Sequence, residues 1–196
     1  MEGAEMQEKA TRLVGAVFGV AFTAMALSGA ASSYDPSPRL VEMAQDYEGL
    51  RTEAYRDPAG VWTICYGHTG ELAQPGAKLS PAVCEQILRE ELRDYKRAVA
   101  QAVAGVPTRP HELEAMALFA FNIGMGCAPE TDCHSDGGFY ASSVYRHHIA
   151  GRTRAAAAAF PLWHKATDPQ TGELVSLRGL VRRREAERTI YLYGGT

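Results

Sequence analysis

The longest uncharged stretch of the chain runs from Leu13 to Tyr34, LVGAVFGVAFTAMALSGAASSY. About 20 helical residues span the roughly 30 Å core of a bilayer, so the run is long enough to cross one. It is built largely from Ala, Gly, Ser and Thr, which contribute little to insertion, and its residence in a membrane should be marginal. Lys9 and Arg12 precede it and favour an N-terminus inside and a C-terminus outside. Two exported readings stand side by side. One is a signal peptide cut at the small residues Ser28-Gly29-Ala30. The other is an uncleaved, weakly apolar anchor that later leaves the bilayer. A buried core helix is the plainer third.

From residue 35 onward the apolar positions recur mostly at helical spacing. Ser37-Pro38 is a cap followed by a first-turn proline, and Leu40, Val41, Ala44 and Tyr47 form one stripe. This helix should end near Gly49, with Glu48 in its last turn. The pattern then changes. Asp57-Pro58-Ala59-Gly60 is turn chemistry, and Val61–Tyr66, rich in β-branched and aromatic residues, predicts a strand of a small antiparallel sheet. Ser80-Pro81 opens a long helix reaching about Val103. Further helices are predicted over His111–Ile123, Ala141–Ile149, Thr153–Trp163 and Leu180–Leu192, with Gly124, Gly126 and Gly151 as stops.

Composition adds bounds. A chain of 196 residues suits one domain plus an appendage. The net charge of -3 gives no sign of a polyanion binder, so no nucleic-acid partner is expected. The basic run Arg178–Arg188 reads as the solvated face of a helix. Four cysteines, Cys65, Cys84, Cys127 and Cys133, lack the spacing of a zinc or redox site. In an exported chain they suggest disulfides. Three pairings are open; a local Cys127–Cys133 clip would leave Cys65 with Cys84. The polar loop Gly126–Gly138 carries Cys133, His134 and Asp136, in a spacing that matches no metal template, so no metal is expected.

Cleaving a glycosidic bond needs a carboxylic acid for the leaving oxygen and a second polar or anionic group to position water or steady the cationic sugar. Glu48 at a helix end and Asp57 in the next turn are one such pair, with Thr63 on the adjoining strand. Nine residues of separation among 23 acidic side chains is weak by itself. The surrounding string, EGLRTEAYRDPAGVWTICYGHTG, is specific. It resembles the signature of the T4-lysozyme-like phage lysozymes, glycoside hydrolase family 24: Glu48-Gly49, Tyr55-Arg56-Asp57, Gly60, Thr63 and Gly67-His68. Gly179-Leu180, Arg183-Arg184 and Glu187 resemble the family's C-terminal string, and Ala120–Gly124 its Phe-Asn-x-Gly helix end. The uncharged run ahead of Glu48 is similar to that of lambdoid endolysins with a signal-anchor-release segment, although no cysteine lies within it. The loop holding Cys127 and Cys133 looks like an insertion.

The resemblance implies an α+β, mostly helical, lysozyme-like fold: a small antiparallel sheet lobe and a helical lobe at residues 35–196, preceded by the apolar segment at 1–34. It implies a phage-encoded muramidase that cuts the β-1,4 bond from N-acetylmuramic acid to N-acetylglucosamine and lyses the bacterial host. Glu48 would be the general acid, and it must hold its proton near neutral pH. Asp57 with Thr63 would hold the attacking water, giving inversion, for which the two carboxyl groups stand about 6.5–9.5 Å apart. His68 reads as structural, and Arg183 or Arg184 either pairs with Glu48 or orders the domain. No cofactor is implied. The expected partners are peptidoglycan strands and, before release, the host inner membrane through residues 13–34; the enzyme would then be a soluble periplasmic monomer. A lytic transglycosylase and an inactive wall-binding protein are the rival readings.

Overall fold

The computed structural model describes residues 32–133, 137–168 and 171–194. Most of the apolar run Leu13–Tyr34, and His134 and Asp136 of the polar loop, lie outside the described residues. Among the described residues no helix is long and apolar enough to cross a membrane. Among the described residues two compact units are present, one formed by residues 32–35 with Val41–Glu91, the other by Pro36–Leu40 with the described residues from Leu92 onward.

Helix α1, Pro38–Glu48, begins where the pattern places it. Ser37 Oγ accepts the Leu40 amide at 3.2 Å and so caps the first turn. Leu40, Val41 and Ala44 are buried. The helix ends because Gly49 turns left-handed, φ 71°, which glycine adopts without strain.

In the first unit the chain then folds into a hairpin. Strand β1, Arg51–Arg56, pairs antiparallel with β2, Trp62–Cys65. Tyr55 faces Thr63 and Arg56 faces Trp62, and an irregularity shifts the register between Arg51 and Tyr55. The other edge of β1 is covered by residues 77–79: Ala54 N donates to Ala77 O and Leu79 N to Thr52 O, each at 2.9 Å. The observed strand is shorter by one residue at each end than Val61–Tyr66. Helix α2, Pro81–Ala102, follows, and a Cys65–Cys84 disulfide with Cα atoms 5.0 Å apart ties the end of β2 to its first turn.

The second unit is helical. Helix α3, Pro110–Ile123, buries every residue from Ala115 to Ala120, a stretch apolar all round and therefore interior. Helices α4, Ser143–Ile149, and α5, Thr153–Ala159, pack together, and α6, Arg178–Tyr193, lies along α3. The helix predicted over Thr153–Trp163 gives way after Ala159 to a 3-10 turn, Phe160–Leu162. Pro161 lacks the N–H that a continuing α-helix would use. A second hairpin, β3 Lys165–Thr167 with β4 Leu174–Ser176, has no counterpart in the sequence reading. Strands of three residues are too short to show a period of two.

The loop between α3 and α4 is closed at its feet. Phe139 N donates to Gly124 O at 2.9 Å and Tyr140 N to Met125 O at 3.1 Å. Gly126 and Gly138 cross so closely that a Cβ on either would collide with the other strand's backbone. Cys127 and Cys133 form the second disulfide.

Candidate active site

Glu48 is the last residue of α1, half-exposed, and three residues ahead of β1. Asp57 leaves β1 and starts the turn into β2. Its Oδ1 accepts the Val61 amide at 2.8 Å, its own amide donates to Val61 O at 2.9 Å, and its carbonyl accepts from Gly60 N at 2.9 Å. Gly60 takes φ 81°, a conformation glycine adopts freely. Thr63 lies buried on β2, and its Oγ1 donates to the same Val61 carbonyl at 3.2 Å. Asp57 and Thr63 therefore meet at one residue: the carboxylate holds the amide of Val61 and the hydroxyl holds its carbonyl. Val61 itself is exposed at 45%.

The turn is fastened from outside as well. Arg56 Nη1 donates to Gly60 O at 2.6 Å, and its guanidinium lies 4.9 Å over the Trp62 ring, a cation–π contact. Arg51 stands likewise 4.7 Å over Tyr55. At the far end of β2, Cys65 is the one described non-glycine residue at positive φ, 61°. The disulfide to Cys84 and the bridge between Ile64 and His68 bracket it. Strained backbone persists where its surroundings over-determine it.

His68 is a fastening in this unit. Its Nδ1 lies 2.8 Å from Glu91 Oε1, and its ring fills the space beside Gly70, where a Cβ would stand 2.6 Å from the ring atoms Cε1 and Nε2. Trp163 belongs to the other unit, with Nε1 donating to Ser143 Oγ at 3.3 Å and its ring edge on Phe119. Among the described residues no group of three or more His, Cys, Asp or Glu is placed to hold a metal ion.

The basic run on α6 is a solvated face only in part, with Arg178 and Arg182 exposed. Arg183 and Arg184 are buried, and Glu187 is fully so. Glu187 Oε1 accepts from Arg183 Nε at 3.1 Å and Arg184 Nη2 at 2.8 Å. Arg183 also donates to Leu118 O and Arg184 to Asn122 Oδ1, and the Arg184 guanidinium covers the Phe119 ring at 4.7 Å. Both arginines thus order the helical unit through Glu187 and α3. Burial pushes the Glu187 carboxyl up to about 7, against the pull of Arg184 and Arg183. The spacing Arg183, Arg184, Glu187 puts the three on one helical face, the signal that was available in the sequence.

A second polar group lies in the same unit. Thr108 Oγ1 donates to Val106 O and lies 2.9 Å from His148 Nε2, and His148 Nδ1 lies 2.6 Å from the Tyr191 hydroxyl. Burial lowers the pKa of the imidazole and so favours its neutral form.

Residues 45–187 match the family described as phage lysozyme. A SAR-endolysin of Pseudomonas phage phiKMV is 34% identical over 140 residues, 71% of this chain and 78% of that protein. A SAR-endolysin of Enterobacteria phage H19B is 32% identical over 188 residues, 90% of this chain and 95% of that one. The solved muramidase domain of SpmX from Asticaccaulis excentricus superposes with a TM-score of 0.65 at 31% identity, over 80% of this chain and 96% of that domain. The chain belongs to the phage lysozyme family. It is a muramidase-type lytic enzyme with a lysozyme-like fold.

Proposed function

We propose that the enzyme hydrolyses the β-1,4 bond between N-acetylmuramic acid and N-acetylglucosamine, with Glu48 as general acid and Asp57 and Thr63 holding the attacking water. The observation that carries this reading is the shared grip of Asp57 and Thr63 on Val61, in a hairpin that begins three residues after Glu48. A water-positioning pair has to be stiff, because misplacement of an attacking atom by about 1 Å costs on the order of a hundredfold in rate. Here Oδ1 of Asp57 is used by the turn, and Oδ2 is the oxygen for water. The Thr63 hydroxyl adds a second polar contact on the same strand. Glu48 donates its proton to the leaving sugar oxygen from the opposite face, and the anomeric centre inverts.

Glu48→Gln should abolish clearing of permeabilised cells while leaving the unfolding curve in place; full activity in that variant sinks the assignment. Product masses separate the rivals. Hydrolysis adds one water to each cut, whereas an anhydro-sugar end identifies a transglycosylase. A wild-type protein that binds walls and releases nothing is a binding module.

Residues 1–34 are proposed to be a signal-anchor-release segment and residues 35–196 the catalytic domain. Support comes from the uncharged, small-residue run and from the relatives that carry the SAR name. The phage-encoded enzyme would wait on the periplasmic face of the host inner membrane and work on peptidoglycan after release. Large aliphatic residues placed between Ala21 and Ala31 should hold it in the membrane fraction and delay lysis. Unchanged fractionation and timing would remove the release reading.

A further inference from the structure

The start of α1 is held by a polar clamp with no part in the chemistry above. Glu114, on α3, accepts twice from Ser37: from the backbone amide to Oε1 at 3.1 Å and from the hydroxyl to Oε2 at 2.9 Å. Lys96 Nζ donates to the same Oε1 at 3.2 Å, with the lysine 7% and the glutamate 19% exposed. The Ser37 hydroxyl, fixed as a donor to Glu114, turns its lone pair to the Leu40 amide at 3.2 Å. One carboxylate thereby sets both the backbone position and the hydroxyl orientation of the residue that caps α1. From Ser37 the helix runs eleven residues, and the eleventh is Glu48.

We propose that Glu114 is a positioning residue for the reaction: by holding Ser37 it holds the first turn of the helix whose last residue is Glu48. A helix of three turns is marginal by itself and depends on its ends. Loss of an N-cap shifts a helix equilibrium by about fivefold. The clamp also lies three residues after Tyr34, the end of the uncharged run. A pull on the chain from that side reaches Ser37 before it reaches any turn of α1. The inference rests on Glu48 being the acid.

The test uses the full-length enzyme and the variants Ser37→Ala, Ser37→Thr and Glu114→Gln, with Ser37→Ala as the variant that leaves no buried charge behind. Clearing rates are measured against wall concentration well below the melting temperature, and hydrogen exchange is followed at the Leu40 amide. Ser37→Ala and Glu114→Gln should speed exchange at the Leu40 amide about fivefold, the factor contributed by the cap, and lower kcat with KM unchanged. Ser37→Thr, which keeps the hydroxyl, should restore the rate. Asp46→Ala, at an exposed position near the C-terminus of α1 where it favours the helix, should recover much of the loss in the Ser37→Ala background. If exchange rises but kcat holds, the clamp orders the helix without positioning the acid, and the proposal is wrong. It also fails if activity follows only the melting temperature. An active Glu48→Gln enzyme would instead overturn the assignment of the acid, and the exchange data would still report on the clamp.

Discussion

The hairpin of the first unit and the arginine–glutamate cluster of the second hold polar groups by opposite means. Asp57 and Thr63 are fixed by a backbone neighbour within four residues, at a turn open to solvent. Arg183 and Arg184 are fixed by partners on α3, 65 and 62 residues away in sequence, and Glu187 by the two arginines, all three buried. A group held by local backbone bonds can be altered with the fold intact, because the turn keeps its other fastenings. Charges that have been taken out of water cannot lose a partner without leaving another charge buried and uncompensated. The first arrangement suits chemistry, the second suits integrity, and the contrast can be broken from either side.

The largest effect should come from Asp57→Asn. Asparagine keeps an oxygen to accept the Val61 amide, so the turn survives, but it carries no negative charge toward water. The rate of wall hydrolysis should fall by about a hundredfold or more, while the unfolding free energy moves by less than about 0.5 kcal/mol. A large loss of stability would show that Asp57 serves the turn rather than the reaction. Next is Glu187→Ala, which strands two buried guanidinium groups and should cost about 3–5 kcal/mol in urea unfolding, with the activity of the folded fraction kept. A cost under about 1 kcal/mol would mean that the cluster is far better solvated than its burial indicates.

The smallest effects are in pH dependence, and two groups oppose one another there. The Glu187 carboxyl is raised from 4.5 to about 7, so the folded state binds its proton more readily than the unfolded chain does. That contribution is fully present below 4.5 and is lost as the pH rises towards 7. His148 is lowered from 6.5, so its contribution is present above 6.5 and is lost as the pH falls below that value. Denaturant unfolding at about pH 5 and about pH 8 separates them through the variants. The penalty of Glu187→Gln should be greater at the lower pH, and that of His148→Gln greater at the higher one. Equal penalties at both values would assign the pH dependence to other groups.

The same contrast explains what could be read from the chain beforehand. The cap at Ser37, the stop at Gly49 and the turn Asp57–Gly60 are signals spread over a few residues, and the structure has each where the sequence puts it. Glu48, Asp57 and Thr63 came from the string around them rather than from their spacing. That Asp57 and Thr63 both hang on Val61 depends on the turn's geometry and had no pattern to announce it. By charge alone Arg183 and Arg184 belong to a solvated face, and the family string leaves them either pairing with Glu48 or ordering the domain; the partners that decide it, Leu118, Phe119 and Asn122, lie far off in sequence. The β3–β4 hairpin and the break at Phe160 depend on segments too short to carry a period. Pairing of the four cysteines was open by count alone; the structure joins Cys65 to Cys84 and Cys127 to Cys133.

The crossed glycines at the base of the α3–α4 loop have a practical side. Gly126 and Gly138 meet face to face, and the bonds from Phe139 to Gly124 and Tyr140 to Met125 lock the junction from the helix side. Those bonds tie the two feet of the loop to one another where it leaves α3 and enters α4. Doubling the length of such a loop costs only about 0.6 kcal/mol in closure entropy. A foreign peptide spliced in beyond these glycines should therefore leave the packing of α3 in place, with a near-wild-type unfolding curve as the check.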